Sequence, residues 1–98
     1  MNIQAMMKQA QKIQKDMLNA KKEIEEMSFE SSTSFLTVKA NGNKVITSVK
    51  INVETLEKED IEMLEDMIQV AVNDINKQID KVTEQKMGKY TQGMPGLF

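Results

Sequence analysis

Residues 3–27 read IQAMMKQAQKIQKDMLNAKKEIEEM, and the spacing of their apolar side chains decides what kind of molecule this is. Ile3, Met6, Ala10, Ile13, Met17, Ala20, Ile24 and Met27 recur in alternating steps of three and four, the signature of the two apolar positions of a heptad. No Gly or Pro interrupts the run. The pattern predicts one long helix from about Ile3 to Met27 with a continuous apolar seam. Lys8, Lys15 and Lys22 recur seven apart on the side opposite the seam, and Lys12 sits beside them.

Downstream the period changes from helical to alternating. Ser28, Phe29, Glu30, Ser31, Ser32, Thr33 and Ser34 read as a polar connector or a weak edge strand. Leu36, Val38 and Ala40 then alternate with Thr37 and Lys39, and Val45, Thr47, Val49, Ile51 and Val53 alternate with Ile46, Ser48, Lys50 and Asn52. These are two strands. Asn41-Gly42 lies between them, and both residues tolerate the positive φ of a type I′ turn. As a two-residue loop it pairs Ala40 with Asn43, Val38 with Val45 and Leu36 with Thr47. That register collects the apolar set on one face and places Ile46 on the other.

A helical period returns from about Glu59 to Met87. Glu57, Glu59, Asp60 and Glu62 crowd its start, where carboxylates suit the helix dipole. Its seam is Ile61, Leu64, Ile68, Ala71, Ile75, Ile79 and Val82; Val72 widens the stripe, and Gln78 and Gln85 break the strict heptad. Gly88 reads as the residue that ends this helix, and nothing helical survives past Pro95. Residues 88–98 are therefore expected to be a flexible tail. The whole chain, 1–98, reads as a single α+β domain: a long N-terminal helix, a small antiparallel sheet and a long C-terminal helix.

Composition excludes most chemistry. With no Cys and no His among 98 residues, there are no disulfides or thiolate nucleophiles, and the commonest general base and metal ligand are missing. Ser31, Ser32 and Ser34 have no His to activate them. The acidic cluster lacks the spacing of a calcium loop, and helix-start electrostatics account for it. No Gly-rich phosphate loop precedes a helix. The reading is of a non-enzyme with no metal, cofactor or small-molecule substrate. There is no signal-peptide apolar core and no apolar run of membrane-spanning length, so a soluble cytoplasmic chain with no membrane partner is expected.

Charge is distributed unevenly although the net is only −2. Residues 1–22 hold five lysines against Asp16, a net of +4; residues 54–66 hold seven acids against Lys58, a net of −6; residues 67–89 hold four lysines against three acids, a net of +1. Every one of the thirteen cations is Lys. Lysine neutralises phosphates but does not make the bidentate guanine contact typical of arginine. Nucleic-acid binding through such residues is backbone-directed, salt-sensitive and poorly sequence-specific.

The two helices are roughly 37 and 43 Å long at 1.5 Å per residue, whereas a compact domain of this length is only about 33 Å across. At most three strands cannot cover two such seams, which points to a second copy. In a monomer the two helices would have to cover each other. Helix one ends at the sheet and helix two begins there, which would leave the basic ends of both as exposed tips far from it.

Four ordered blocks carry a resemblance. They are Lys8-Gln9-Ala10-Gln11-Lys12 leading into Gln14-Lys15-Asp16-Met17; Ala40-Asn41-Gly42-Asn43 followed by Ser48-Val49-Lys50-Ile51; Glu59-Asp60-Ile61-Glu62-Met63-Leu64-Glu65-Asp66 running into Ala71-Val72-Asn73-Asp74; and Lys86-Met87-Gly88 with the ending Gly93-Met94-Pro95-Gly96-Leu97-Phe98. Together they resemble the YbaB/EbfC nucleoid-associated proteins over essentially the whole chain. The resemblance implies a bacterial, cytoplasmic, tweezer-like homodimer that binds duplex DNA, alters its conformation, and contributes to nucleoid organisation and gene regulation. It places Lys8, Lys12 and Lys15 in the family's basic first helix, with Lys22 continuing their row, and Lys81, Lys86 and Lys89 at the end of its last long helix. Two departures stand out: Arg is absent, and the Ser-rich stretch at 28–34 stands where relatives are often glycine-rich. The competing reading is a helical protein-interaction module that docks a partner through its seam or through Leu97-Phe98 on a Gly/Pro tether.

Overall fold

The computed structural model describes residues 2–91. Helix α1 spans Ile3–Glu26, strands β1 Ser28–Ser32, β2 Leu36–Asn41 and β3 Ile46–Ile51 follow, and helix α2 spans Lys58–Thr91. The strands form one antiparallel meander in the order β1-β2-β3. The fold is α+β, two long helices flanking a small sheet, as the periodicities predict.

Helix α1 forms because nearly every residue in it is a good helix former and because Asn2 caps its start. The Asn2 side-chain oxygen accepts from the backbone N–H of Gln4 at 3.0 Å and of Ala5 at 3.4 Å. The helix stops at Met27, which turns to extended backbone and leads directly into β1. The 28–34 stretch is in part a true edge strand. Phe29 is its anchor and is buried among Leu36, Val38 and Ala40 of β2 and Leu64, Ala71, Ile75 and Ile79 of α2. Burying a large apolar side chain of this kind stabilises by about 1.5–3 kcal/mol relative to leaving it exposed.

The hairpin departs from the expected register. Leu36 pairs with Ile51, Val38 with Val49 and Ala40 with Ile46, with a bulge beside Lys39 and Ala40. The loop is longer than two residues, and the left-handed residue is Lys44, with φ of 65°. Gly42 does not adopt a left-handed φ. The Asn41 side chain organises the loop instead, its Oδ1 accepting from the N–H of Asn43 at 2.9 Å and of Val45 at 3.2 Å. A type I turn followed by a left-handed residue is the usual three-residue solution. The bulge brings Ile46 opposite Ala40, so Ile46 joins the apolar face rather than leaving it.

Helix α2 lies over that face rather than projecting from its edge. Its start is capped reciprocally: the Asp60 carboxylate accepts from the Glu57 N–H, and the Asp60 N–H donates to the Glu57 carbonyl, each at 3.0 Å. The acid three residues into the helix supplies one half of a capping box, and a backbone carbonyl stands in for the other. Leu64, Ala71, Ile75 and Ile79 are buried on the sheet, while the seam residues Ile61 and Ile68 are exposed. A straight helix of 3.6 residues per turn drifts off a strict heptad, and the buried stripe follows the straight helix. Gln78 spans the boundary of that stripe, its Nε2 donating to the Glu30 carbonyl at 3.0 Å and so tying α2 to β1. No helix among the described residues is long and apolar enough to cross a membrane.

Helix α2 does not end at Gly88 but continues to Thr91, so 88–91 are helical; residues 92–98, which include the apolar Leu97-Phe98 end, lie outside the described residues. A Cβ on Gly88 would meet nothing within 4 Å. Gly88→Ala is therefore expected to stabilise the protein by about 0.5–1 kcal/mol through helix propensity, read as a higher urea midpoint at unchanged slope.

The molecule is long, 71 × 21 × 14 Å, with a radius of gyration of 19.5 Å. Helix α1 runs antiparallel to the far end of α2: Glu23 meets Lys86, and Ile24 lies beside Thr83 and Met87. Residues 3–15 of α1 are all exposed and overhang the end of α2. At 1.5 Å per residue α2 accounts for about 51 Å and the overhang for about 20 Å, which together reproduce the long dimension. The acidic 54–66 segment and the lysine-bearing start of α1 thus occupy opposite ends. The end of α2 is not a free tip, since it packs along the root of α1.

Candidate nucleic-acid interface

Seven residues on a straight helix return to nearly the same face and advance about 10.5 Å along the axis. Lys8, Lys15 and Lys22 accordingly form one row along α1, with Lys12 between the first two, and all four are exposed. No acidic residue precedes Asp16, and none lies in the first turn of α1. The N-terminal half of the helix is a rod with cations on one side and the uncovered seam residues Ile3, Met6, Ala10 and Ile13 on the other. Ile3 is 72% and Met6 52% exposed.

The three candidate lysines of α2, Lys81, Lys86 and Lys89, are placed differently from one another. Lys86 and Lys89 line a cleft of about 470 Å³ between the root of α1 and the end of α2, together with Asp16, Glu23 and Tyr90. Lys86 Nζ lies 3.5 Å from Glu23, and Lys89 Nζ lies 5.0 Å from the centre of the Tyr90 ring, within cation–π range. Lys81 is exposed, but five residues place it about 140° around the helix from Lys86 at 3.6 residues per turn. The structure therefore gathers Lys8, Lys12, Lys15 and Lys22 into one row, sets Lys86 and Lys89 beside its base, and leaves Lys81 apart. Asp16 and Glu23, which line the cleft, and the pairing of Glu23 with Lys86 carried no such signal in the sequence, because the arrangement depends on how the two helices meet. No cluster of His, Cys, Asp or Glu suited to a metal ion is present among the described residues.

A family model described as the YbaB/EbfC DNA-binding family matches residues 1–94. The chain belongs to the YbaB/EbfC family. A nucleoid-associated protein of Lactococcus lactis subsp. cremoris strain MG1363 is 47% identical over 97 residues, covering 97% of this chain and 98% of its own. One from Oceanobacillus iheyensis is 46% identical over 101 residues, covering 99% and 97%. One from Listeria monocytogenes serotype 4a is 49% identical over 100 residues, covering 98% and 95%. All seven candidate lysines of this YbaB/EbfC chain lie within the matched span, as do both helices and the entire sheet.

Proposed function

We propose that the protein binds duplex DNA as a homodimer, mainly through the phosphate backbone and with low sequence specificity. In doing so it alters DNA conformation and contributes to nucleoid organisation and gene regulation in the cytoplasm. The observation that carries this reading is the lysine row on the exposed half of α1, with no carboxylate before Asp16. Membership of a DNA-binding family and relatives named nucleoid-associated proteins support it. The proposed role is not catalytic, in keeping with a chain that has neither Cys nor His.

A second copy is supported by the apolar surface this chain leaves uncovered. Ile46, Val49 and Ile51 are 40%, 56% and 44% exposed, yet they pair with buried Ala40, Val38 and Leu36. The apolar face of the sheet thus continues past the cover that α2 supplies, along an edge strand whose outer side is unpaired among the described residues. Edges of this kind invite pairing with another chain.

The test is a gel-shift titration of unrelated duplexes of equal length across a range of salt. Backbone binding requires log K to fall linearly with log salt, by about 0.9 for each phosphate neutralised, and affinities to agree among sequences within about tenfold. Absence of a shift at low salt, or an affinity independent of salt, removes the reading.

A further inference from the structure

Gly42 lies where helix α1, the hairpin and helix α2 converge. Ser28 pairs with Asn41, and only Met27 separates Ser28 from the end of α1. One further step of that register lays Gly42 against the last turn of the helix. The approach leaves no room for a side chain. A Cβ on Gly42 would collide with the Ile24 carbonyl group, 2.5 Å from its carbon, and would stand 2.9 Å from Ile24 Cγ2. Since Gly42 does not use a left-handed φ, glycine is demanded here by closeness and not by backbone conformation.

The obstruction is backbone, so a rotamer change cannot relieve it. Either the hairpin tip or the root of α1 must move. The tip is held by two bonds to Asn41 Oδ1, by the Lys44–Asp80 ion pair at 2.8 Å and by the ladder behind it. The helix is held less firmly, with Ile24 its one buried residue. Beneath its root lies a cavity of about 110 Å³ bordered by Ile24, Gly42, Asn43, Thr83 and Met87.

We infer that Gly42 is the positioning residue of the α1 arm: its missing side chain lets the hairpin seat against Ile24 and so sets the direction in which Lys8, Lys12 and Lys15 project. The functional half of this rests on the DNA-binding role proposed above; the geometric half does not. Restoring an ordinary carbon–carbon separation of about 3.5 Å requires a displacement of about 1 Å at Ile24. Pivoting at Ala20, which lines the cleft against α2 about 6 Å away along the axis, this grows to about 4 Å at Ile3, about 26 Å beyond the pivot.

The chain has no native Cys, so introduced thiols can be labelled selectively. Spin labels at Gln9→Cys and Asn73→Cys, both exposed positions, report arm against α2. A pair at Glu30→Cys and Asn73→Cys reports sheet against α2. Labelled chains are diluted in excess unlabelled protein so that only distances within one chain are read. In Gly42→Ala the mean 9–73 distance is expected to shift by several ångströms while the 30–73 distance stays unchanged; an unchanged 9–73 distance overturns the inference. Should Gly42→Ala lose the 30–73 distance through unfolding, Ile24→Ala decides. Removing the side chain that Gly42 abuts is expected to broaden the 9–73 distribution, and a native width overturns the inference. With a duplex carrying a dye at each end, Gly42→Ala is expected to change the end-to-end energy transfer in the complex while its affinity stays within about threefold of native. A shifted arm with native transfer overturns the functional half. If the native protein binds no duplex, the DNA-binding role falls and the functional half with it, while the spin-label distances still decide the geometry.

Discussion

Replacing Lys8, Lys12 and Lys15 together with Glu is expected to lower the affinity for duplex DNA at least about 500-fold in roughly 0.1 M salt. Each phosphate contact contributes about 0.9 to the slope of log K against log salt, so losing three on one arm removes roughly 2.7 decades at that concentration and flattens the slope by about 2.7, and both figures double when the two arms of the dimer engage together. Repulsion between the new carboxylates and the phosphates adds to the loss. The helix itself should not suffer. All three side chains are exposed, and carboxylates near a helix N-terminus agree with the macrodipole where lysines oppose it. The melting temperature is therefore expected to be no lower than native, which separates lost binding from lost folding. Native affinity and native slope in this variant would eliminate the row on α1 as the interface. Lys81→Glu provides an internal contrast, since its position apart from the row predicts a change of less than about threefold, within the range of a peripheral charge.

The second large effect concerns the uncovered strip on the sheet. Val49→Asp is expected to convert the proposed dimer into single chains. Placing an uncompensated carboxylate in an apolar interface costs about 2 kcal/mol even with partial solvation. An isologous interface carries every substitution twice, so the penalty is about 4 kcal/mol, or about 1000-fold in the dimer dissociation constant. Sedimentation at micromolar concentration should then report the chain mass of 11.2 kDa in place of twice that value. Val49 is more than half exposed in the single chain, so the far-UV spectrum should keep its helical amplitude. DNA affinity should fall as well, by about 100-fold, because two linked arms bind far more tightly than one. A Val49→Asp protein that sediments as a dimer would show that the second copy sits elsewhere.

Much of the architecture was legible in residue spacing, and the exceptions have definite causes. The end of α1 was readable to one residue, because strong helix formers run unbroken from a capping Asn2 to Met27. Seam residues were readable as apolar but not as buried. Ile24 is buried and Ile13 is exposed, and what separates them is where α2 ends, a fact about another element. The hairpin register is not legible because its left-handed residue is Lys44, which carries no turn signal, while Gly42 serves a contact with Ile24, eighteen residues away in sequence. Gly88 was misread for a related reason: glycine punctuates a helix only when nothing else favours continuing, and here Lys89 suits the C-terminal dipole. On α1 the lysine row was readable from its seven-residue interval alone. The cleft opposite Lys86 and Lys89 was not, since the meeting of Asp16 and Glu23 with α2 depends on the direction in which the second helix returns.

Cover for the sheet comes from the last element of the chain, and this has a bearing on how the protein is made. Among the described residues, Phe29, Leu36, Val38 and Ala40 close chiefly against Leu64, Ala71, Ile75 and Ile79 of α2. While those residues are still inside the ribosome, the emerging meander shows a bare apolar face and two open edges. The first 57 residues therefore lack the layer that a one-sided sheet needs to bury its apolar face. Nascent chains on neighbouring ribosomes of one message meet at high local concentration in that interval, when their strands are as ready to join each other as to fold. Synthesis must carry the chain well past Ile79 before that hazard closes.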